Sequence, residues 1–275
     1  MQSPRRLSDP IALKRNRERI SRESLFLHEA VADDIKERLA EVNKSFTKIA
    51  AVTGDRSFWK GHFPEATHID EGEVLALTTD TYDLLLHLMN LHWSDDPVGQ
   101  LIQCRRALQP DGLLLTAFFG GQSLHELRTS IATAEAAISG GMSPRIAPMS
   151  DIREYGALLQ RAGLALPVAD TMTFTVTYPD LSRLMHDLRG MGEGNALAER
   201  SRKPTRRELF VEAEKTYREH FSDDSGALIA TFEILVLTGW APSDTQPKPL
   251  KPGSGKVPLS EALEPGWSFR SDEKD

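Results

Sequence analysis

The spacing of apolar residues alternates along the chain between runs typical of strands and a helical repeat. Residues 82–90 contain a continuous apolar run, which predicts a buried strand, although Leu84-Leu85-Leu86 alone would also suit a buried helix. Asp96 and Pro97 then predict a capped helix start, and apolar residues up to Leu108 fall on one helical face. Residues 113–119 form a second buried strand. Strand, helix and strand in this order predict a crossover unit, and hence a mostly parallel sheet with helices on both faces.

The same alternation extends over most of the chain. Helices are predicted within 11–39, and short strands at 46–52 and 66–70. Further along, the pattern predicts a helix at 123–139, a loop at 140–148, a helix ending at 162, a strand at 172–178, helices at 181–189 and 204–221, and a strand at 227–240. We interpret residues 46–240 as one α/β domain, 1–45 as a basic helical segment and 241–275 as a proline-rich tail.

The composition narrows the possible classes of function. The 275 residues are 40% hydrophobic and 27% charged, which is typical of a globular protein rather than a disordered one. The net charge of -7 argues against a nucleic-acid partner, because neutralising phosphates requires an excess of Lys and Arg. Cys104 is the only cysteine, so we expect a reducing, cytoplasmic setting. The longest apolar runs are far shorter than the roughly 20 residues that span a bilayer, so no membrane span is expected.

Several short motifs together carry a resemblance to one family. They are LKRNR at 13–17, NLHWSDD at 90–96, FGG at 119–121, SPRIAP at 143–148, MGEGN at 191–195, TFEI at 231–234 and GW at 239–240. The chain resembles the methyltransferase-like proteins of alphaproteobacteria and mitochondria that assist assembly of respiratory complex I. Their wider relatives include the biotin-pathway methyltransferase that esterifies a malonyl carrier.

This resemblance implies a Rossmann-like class I methyltransferase fold, with S-adenosylmethionine across the carboxyl ends of the strands. It also implies a complex I subunit or another protein as the partner or substrate. The place of action would be the cytoplasm of a bacterium or the mitochondrial matrix of a eukaryote. The mitochondrial member uses its cofactor for arginine hydroxylation instead of methyl transfer, so the fold does not fix the reaction.

The chain departs from the family pattern between Ile49 and Tyr82. The family has a strand, a glycine-rich turn, a helix, a second strand ending in an acid, another helix and a third strand before the strand that Tyr82 begins. Here the interval is roughly 20 residues too short for all of these elements. Gly54 is the only glycine of the turn, with the bulky Phe58 and Trp59 behind it. We therefore predict that at least one helix or strand is missing, and that S-adenosylmethionine binding is weak or absent.

The candidate cofactor residues are Gly54, Asp55, Asp70 and Asn90. Glycine lets the backbone approach a cofactor closely, and a carboxylate at the end of the second strand would accept from ribose hydroxyls. The alternative for Asp70 is an exposed turn residue. His92 is the candidate catalytic base or hydrogen-bond donor, with a structural role as its alternative. No metal site is expected, because no second ligand stands at a suitable spacing.

Five further residues are candidates for contact with a substrate or partner. Gly120 and Gly121 would allow a ligand to approach closely or would form a simple turn. Glu193 would contact the substrate or belong to a capping loop. Arg15 and Arg17 would bind an acidic partner surface or lie on a solvated helix face. Three hypotheses stay open at this point: a methyltransferase, a degenerate assembly protein that has lost the cofactor, and an arginine hydroxylase.

Overall fold

The computed structural model describes residues 6–247 and places a single six-stranded sheet at the centre of the fold. The strand order is β2-β1-β3-β4-β6-β5. The first four strands in this order are parallel, and β6 runs antiparallel between β4 and β5. The strands are β1 (Ile49–Thr53), β2 (Thr67–Asp70), β3 (Tyr82–Leu88), β4 (Leu108–Gly120), β5 (Ala165–Tyr178) and β6 (Leu228–Trp240). This mixed α/β sheet confirms the predicted Rossmann-like fold class.

Helices cover the sheet on both faces. They are α1 (Pro10–Arg17), α2 (Phe26–Glu41), α3 (Arg56–His62), α4 (Pro97–Ala107), α5 (His125–Ser139), α6 (Ile152–Arg161), α7 (Leu181–Gly190) and α8 (Arg207–His220). The Asp96 carboxylate accepts from the amide of Gly99 and caps α4, as the sequence predicts. None of the helices in the described part is long and apolar enough to cross a membrane.

Strand β3 is mainly apolar because its two faces meet different hydrophobic cores. Leu84, Leu86 and Leu88 belong to the core beneath α2, α5, α7 and α8. Leu85 belongs to the second core, formed with α4 and α6. A strand buried on both faces reads as a continuous apolar run, and this resolves the ambiguity between strand and helix at 84–86.

The shortened interval lacks one helix and one strand. β1 is followed by the short helix α3, which the sequence pattern did not reveal, and then by β2. Between β2 and β3, residues 71–81 contain neither a helix nor a strand. The side chains of Gln100 and Gln103 in α4 bind the backbone of this connection at Gly72, Glu73 and Leu75. The expected loss of elements is therefore confirmed, and α4 supplies the polar partners for the backbone that replaces them.

Two strands are longer than the sequence predicts. β4 begins at Leu108 instead of residue 113, and β5 begins at Ala165 instead of residue 172. β5 pairs with β6 at the edge of the sheet, where its exposed residues weaken the hydrophobic signal that marks a strand. The described residues up to Ser243 form one compact unit. The proposed tail lies outside the described residues from 248 onward.

Candidate functional site

A cavity of about 690 Å³ lies at the carboxyl ends of β1, β2 and β3. Gly54 and Asp55 follow β1, Asp70 ends β2, and Asn90 follows β3. All four candidate cofactor residues line this cavity, which we call the cleft. They come together because parallel strands place their carboxyl ends on one side of the sheet, where ligands of such folds bind.

The cleft is covered by α1 and the turn after it. We call residues 10–20 the strap. The Asp9 carboxylate caps α1 and also pairs with Arg200 at 2.9 Å and Arg202 at 3.0 Å. The hydrogen bond from Arg200 is the main reason that the pKa of Asp9 falls to about 2. The strap is therefore joined to the segment after α7 by a carboxylate that stays ionised near neutral pH.

Arg17 projects from the strap into the wall of the cleft, where only 8% of its side chain is exposed. Its guanidinium pairs with Glu193 at 2.8 Å and with Glu71 at 3.2 Å, and Nη2 donates to the carbonyl oxygen of Met89 at 3.3 Å. Burial alone would lower the pKa of Arg17, but the two carboxylates outweigh it and raise the pKa. Arg17 therefore does not lie on a solvated helix face, whereas Arg15 is exposed, and contact of either residue with a partner stays a prediction.

Glu193 binds three side chains of the site. One of its carboxylate oxygens pairs with Arg17, and the other accepts from His92 Nε2 at 2.9 Å and Trp93 Nε1 at 2.7 Å. Burial opposes ionisation, but His92 and Arg17 more than compensate and lower the pKa of Glu193. The side chain of His92 is only 2% exposed, and the residue lines neither this cleft nor the neighbouring cavity. This placement favours a structural role for His92 as a support for Glu193.

A second cavity of about 230 Å³ shares Trp93 with the cleft as a lining residue. Its walls are mainly apolar and come from α5, α7, α8 and the loop at 140–148, with Phe119 and Phe232 from the sheet. Trp93 lines both cavities, whereas Glu193 lines only the second one. A partly apolar pocket with one ionised carboxylate beside the cleft is suited to an organic group or a side chain of a protein ligand.

The space in front of Gly54 is filled by the chain itself. A Cβ atom at Gly54 would lie 2.6 Å from Nε of Arg17 and 2.8 Å from a carboxylate oxygen of Glu71. A larger residue here would require these two side chains to shift, and the group that approaches the Gly54 backbone is the Arg17–Glu71 ion pair. Phe58 and Trp59 are buried in the core and do not line the cleft, so they are not the cause of the obstruction.

The other cofactor candidates keep some capacity to bind. Asp70 pairs with Arg56 at 3.3 Å, and both side chains are more than half exposed. Asn90 is buried, and its Nδ2 has no hydrogen-bond partner among the described residues. Polar acceptors and a donor without a partner are thus in place. A cofactor cannot lie close to Gly54 in this arrangement, however, because the Arg17–Glu71 ion pair fills that space.

Gly120 and Gly121 line neither cavity. A Cβ at Gly120 would meet Leu235, and one at Gly121, which has a positive φ of 54°, would meet the carboxylate of Glu233. Close packing within the protein explains both glycines, so the prediction that a ligand approaches there has no support in the geometry. No group of three or more His, Cys, Asp or Glu residues that could hold a metal is found among the described residues.

Two residues of the site were missed in the sequence. Glu71 directly follows Asp70, so the sequence does place it just after a strand end. Asp70 was chosen instead as the carboxylate at the end of that strand. Met89 has a left-handed backbone with φ of 53°, which is unusual for a residue other than glycine. That conformation is set by tertiary structure, and no side-chain pattern could have indicated it.

No family model matches the chain. The mitochondrial arginine-hydroxylase NDUFAF5 of Danio rerio is 37% identical over 69% of this chain and 59% of its own length. The Homo sapiens protein of the same name is 34% identical over 80% and 64%, respectively. The malonyl-[acyl-carrier protein] O-methyltransferase of Xylella fastidiosa is 34% identical over 68% and 61%.

These matches span less than two thirds of each relative. Among solved structures, the YcgJ protein of Bacillus subtilis superposes with a TM-score of 0.50 at 11% identity, covering 78% of this chain and 99% of that one. At this identity the superposition supports the fold alone.

Proposed function

We propose that the chain belongs to the methyltransferase-like family that includes the NDUFAF5 proteins and the malonyl-[acyl-carrier protein] O-methyltransferases, and that it is an assembly factor for respiratory complex I. It would act by binding a protein partner, with weak or absent binding of S-adenosylmethionine. In a bacterium it would work in the cytoplasm, and in a eukaryote in the mitochondrial matrix.

The observation that carries this proposal is the ion pair in front of Gly54. A cofactor that approached this backbone would have to displace a guanidinium that is held by two carboxylates and a carbonyl oxygen. Removing one partner of a buried ion pair typically costs about 3–5 kcal/mol. A comparable penalty on binding would weaken affinity by at least a hundredfold. No step of methyl transfer is therefore derived for this cleft.

The partner is expected to meet the exposed face of the strap. Lys14, Arg15 and Arg19 are exposed there, and Ile11 is 78% exposed. Basic side chains around an exposed apolar residue are suited to an acidic protein surface with an apolar centre. Arg15 thus keeps its role as a candidate partner contact.

Complementation in a host whose own copy of this gene has been deleted tests the proposal. NADH oxidation by complex I in isolated membranes is the readout. The double variant Arg15→Glu/Arg19→Glu should fail to restore it, because two of the three positive charges that face the partner are reversed. Asp70→Asn, which changes the candidate ribose ligand, should restore it. Loss of complex I with Asp70→Asn, together with full activity of the charge-reversal variant, would contradict the proposal and favour an enzyme.

The second candidate function is arginine hydroxylation, for which the NDUFAF5 relatives are named. It is favoured by one specific observation, since the cleft of this chain already holds a guanidinium group between two carboxylates. Mass spectrometry of the complex I subunits separates the two candidates. An arginine that carries one added oxygen only when the gene is present would support hydroxylation, and its absence in an assembled complex would support the assembly role.

A further inference from the structure

The guanidinium of Arg17 lies in a site built from distant parts of the chain. Glu71 follows β2, Met89 follows β3 and Glu193 follows α7, so three separate connections converge on one cation. The side chains of Glu71 and Glu193 are only 19% and 8% exposed. Two carboxylates brought this close together are stable only with a positive group between them. The site is therefore specific for a cation, whichever molecule supplies it.

Two independent observations indicate that this site belongs to a ligand-binding cleft. Asn90 lines the same cavity, is 95% buried and has an Nδ2 donor without a partner among the described residues. Met89 holds a left-handed backbone, and its carbonyl oxygen accepts from Arg17. Strained backbone and unpaired buried donors are concentrated at binding sites, because a simple core has no use for either.

The strap is weakly attached compared with the neighbouring helix. α1 buries only Ala12 and Leu13, whereas α2 buries five residues. Most other contacts of the strap are polar, such as the bond from Asn16 Nδ2 to the carbonyl oxygen of Gly194 at 2.7 Å. A segment with few buried apolar contacts and many polar ones opens more readily than the core.

We propose that Arg17 is a built-in occupant of a cation site in the cleft, and that the strap must withdraw before the cleft accepts a ligand with a positively charged group. The strap is thus an autoinhibitory element. This inference rests on one part of the proposed function, namely that Arg17 causes the weak binding of S-adenosylmethionine. The ligand class is an organic cation, and the sulfonium and ammonium groups of S-adenosylmethionine belong to it.

Chemical rescue of Arg17→Ala tests whether the site selects a guanidinium. The variant leaves Glu71 and Glu193 without their shared cation, so its melting temperature should fall by about 5–15 °C. N-ethylguanidinium at millimolar concentration should restore a large part of this loss, whereas the uncharged N-ethylurea should not. Arg22→Ala removes an exposed arginine of the same N-terminal region and serves as the matched control, for which neither compound should raise the melting temperature.

Ligand binding to the same variants tests whether Arg17 is a competitor. Arg17→Ala should bind S-adenosylmethionine at least tenfold more tightly than the original chain, with a smaller gain for S-adenosylhomocysteine, which keeps the ammonium group but lacks the sulfonium charge. Arg22→Ala should bind like the original chain. Equal or weaker binding of S-adenosylmethionine by Arg17→Ala, or equal rescue by the guanidinium and the urea, would overturn the inference.

A third measurement applies if Arg17→Ala does not fold. Arg17→Ala is then refolded in the presence of each compound, and the yield of soluble protein is measured. A higher yield with N-ethylguanidinium than with N-ethylurea supports the cation site, and equal yields overturn it. None of these readouts involves complex I, so failure of this inference is distinct from failure of the assembly role.

Discussion

At the scale of single residues, Glu193 has the greatest influence on the site. It is an acceptor for Arg17, His92 and Trp93, and so it joins the strap to the segment after β3. The sequence allowed Glu193 to be selected, because it stands in a glycine-rich stretch after a helix. Its partners could not be predicted, since Arg17 is 176 positions away and a charged residue on a short amphipathic segment is usually exposed.

Trp93 is predicted to be a structural residue. It is 5% exposed and packs with Ala12, Leu13, Ala196 and Leu197. Trp93→Ala should lower the free energy of unfolding by roughly 3–5 kcal/mol, the range for truncating a large buried aromatic residue. Trp93→Phe keeps most of the volume but loses the hydrogen bond to Glu193, and should cost about 1–3 kcal/mol. Urea denaturation measures both values, and an unchanged midpoint for Trp93→Ala would show that the residue does not support the core.

Glu135 should make stability depend on pH in the acid range. Burial raises its pKa, but bonds from Arg145 and Ser143 outweigh burial and lower the pKa from 4.5 to about 2. Its contribution to stability is therefore complete above pH 4.5 and is lost as the pH falls from 4.5 towards 2. Melting temperatures from pH 6 to pH 3 should fall more steeply for the original chain than for Glu135→Gln. Parallel curves would contradict this assignment.

At the scale of elements, the chain shows how a methyltransferase-like fold accommodates a shortened connection between two strands. The strand–helix–strand unit from β3 to β4 was predictable, because both strands are buried on two faces and the helix has a cap and an initial proline. The connection at 71–81 was predictable only as a loss of length. Its conformation depends on Gln100 and Gln103, whose polar side chains give no sign in the sequence that they bind a backbone 28–30 residues away.

Gln103 should stabilise this connection locally. Its amide accepts from Leu75 N at 2.8 Å and donates to the carbonyl oxygen of Glu73 at 2.9 Å. Gln103→Ala should reduce the free energy of unfolding by about 0.5–1.5 kcal/mol and speed hydrogen exchange mainly in residues 72–77. Gln160→Ala, at an exposed position of α6, is the matched control. If exchange in the connection is equal in both variants, α4 does not anchor it.

At the scale of the whole molecule, the fold and the position of the cleft could be predicted from the sequence. The group that obstructs the cleft could not. Apolar periodicity and the order of elements indicated the sheet, and parallel strands placed Gly54, Asp70 and Asn90 at one edge. The obstruction was expected from the bulk of Phe58 and Trp59. It arises instead from Arg17, because the strap folds back over the cleft through contacts that span most of the chain length.

The cleft of the folded chain is expected to bind S-adenosylmethionine weakly or not at all. Isothermal titration of the original chain with S-adenosylmethionine, and with S-adenosylhomocysteine in parallel, tests it most directly. We expect no measurable heat of binding or a dissociation constant weaker than about 100 μM, since the cofactor must displace the Arg17–Glu71 pair. A dissociation constant in the low micromolar range would contradict this expectation and restore the enzyme hypothesis.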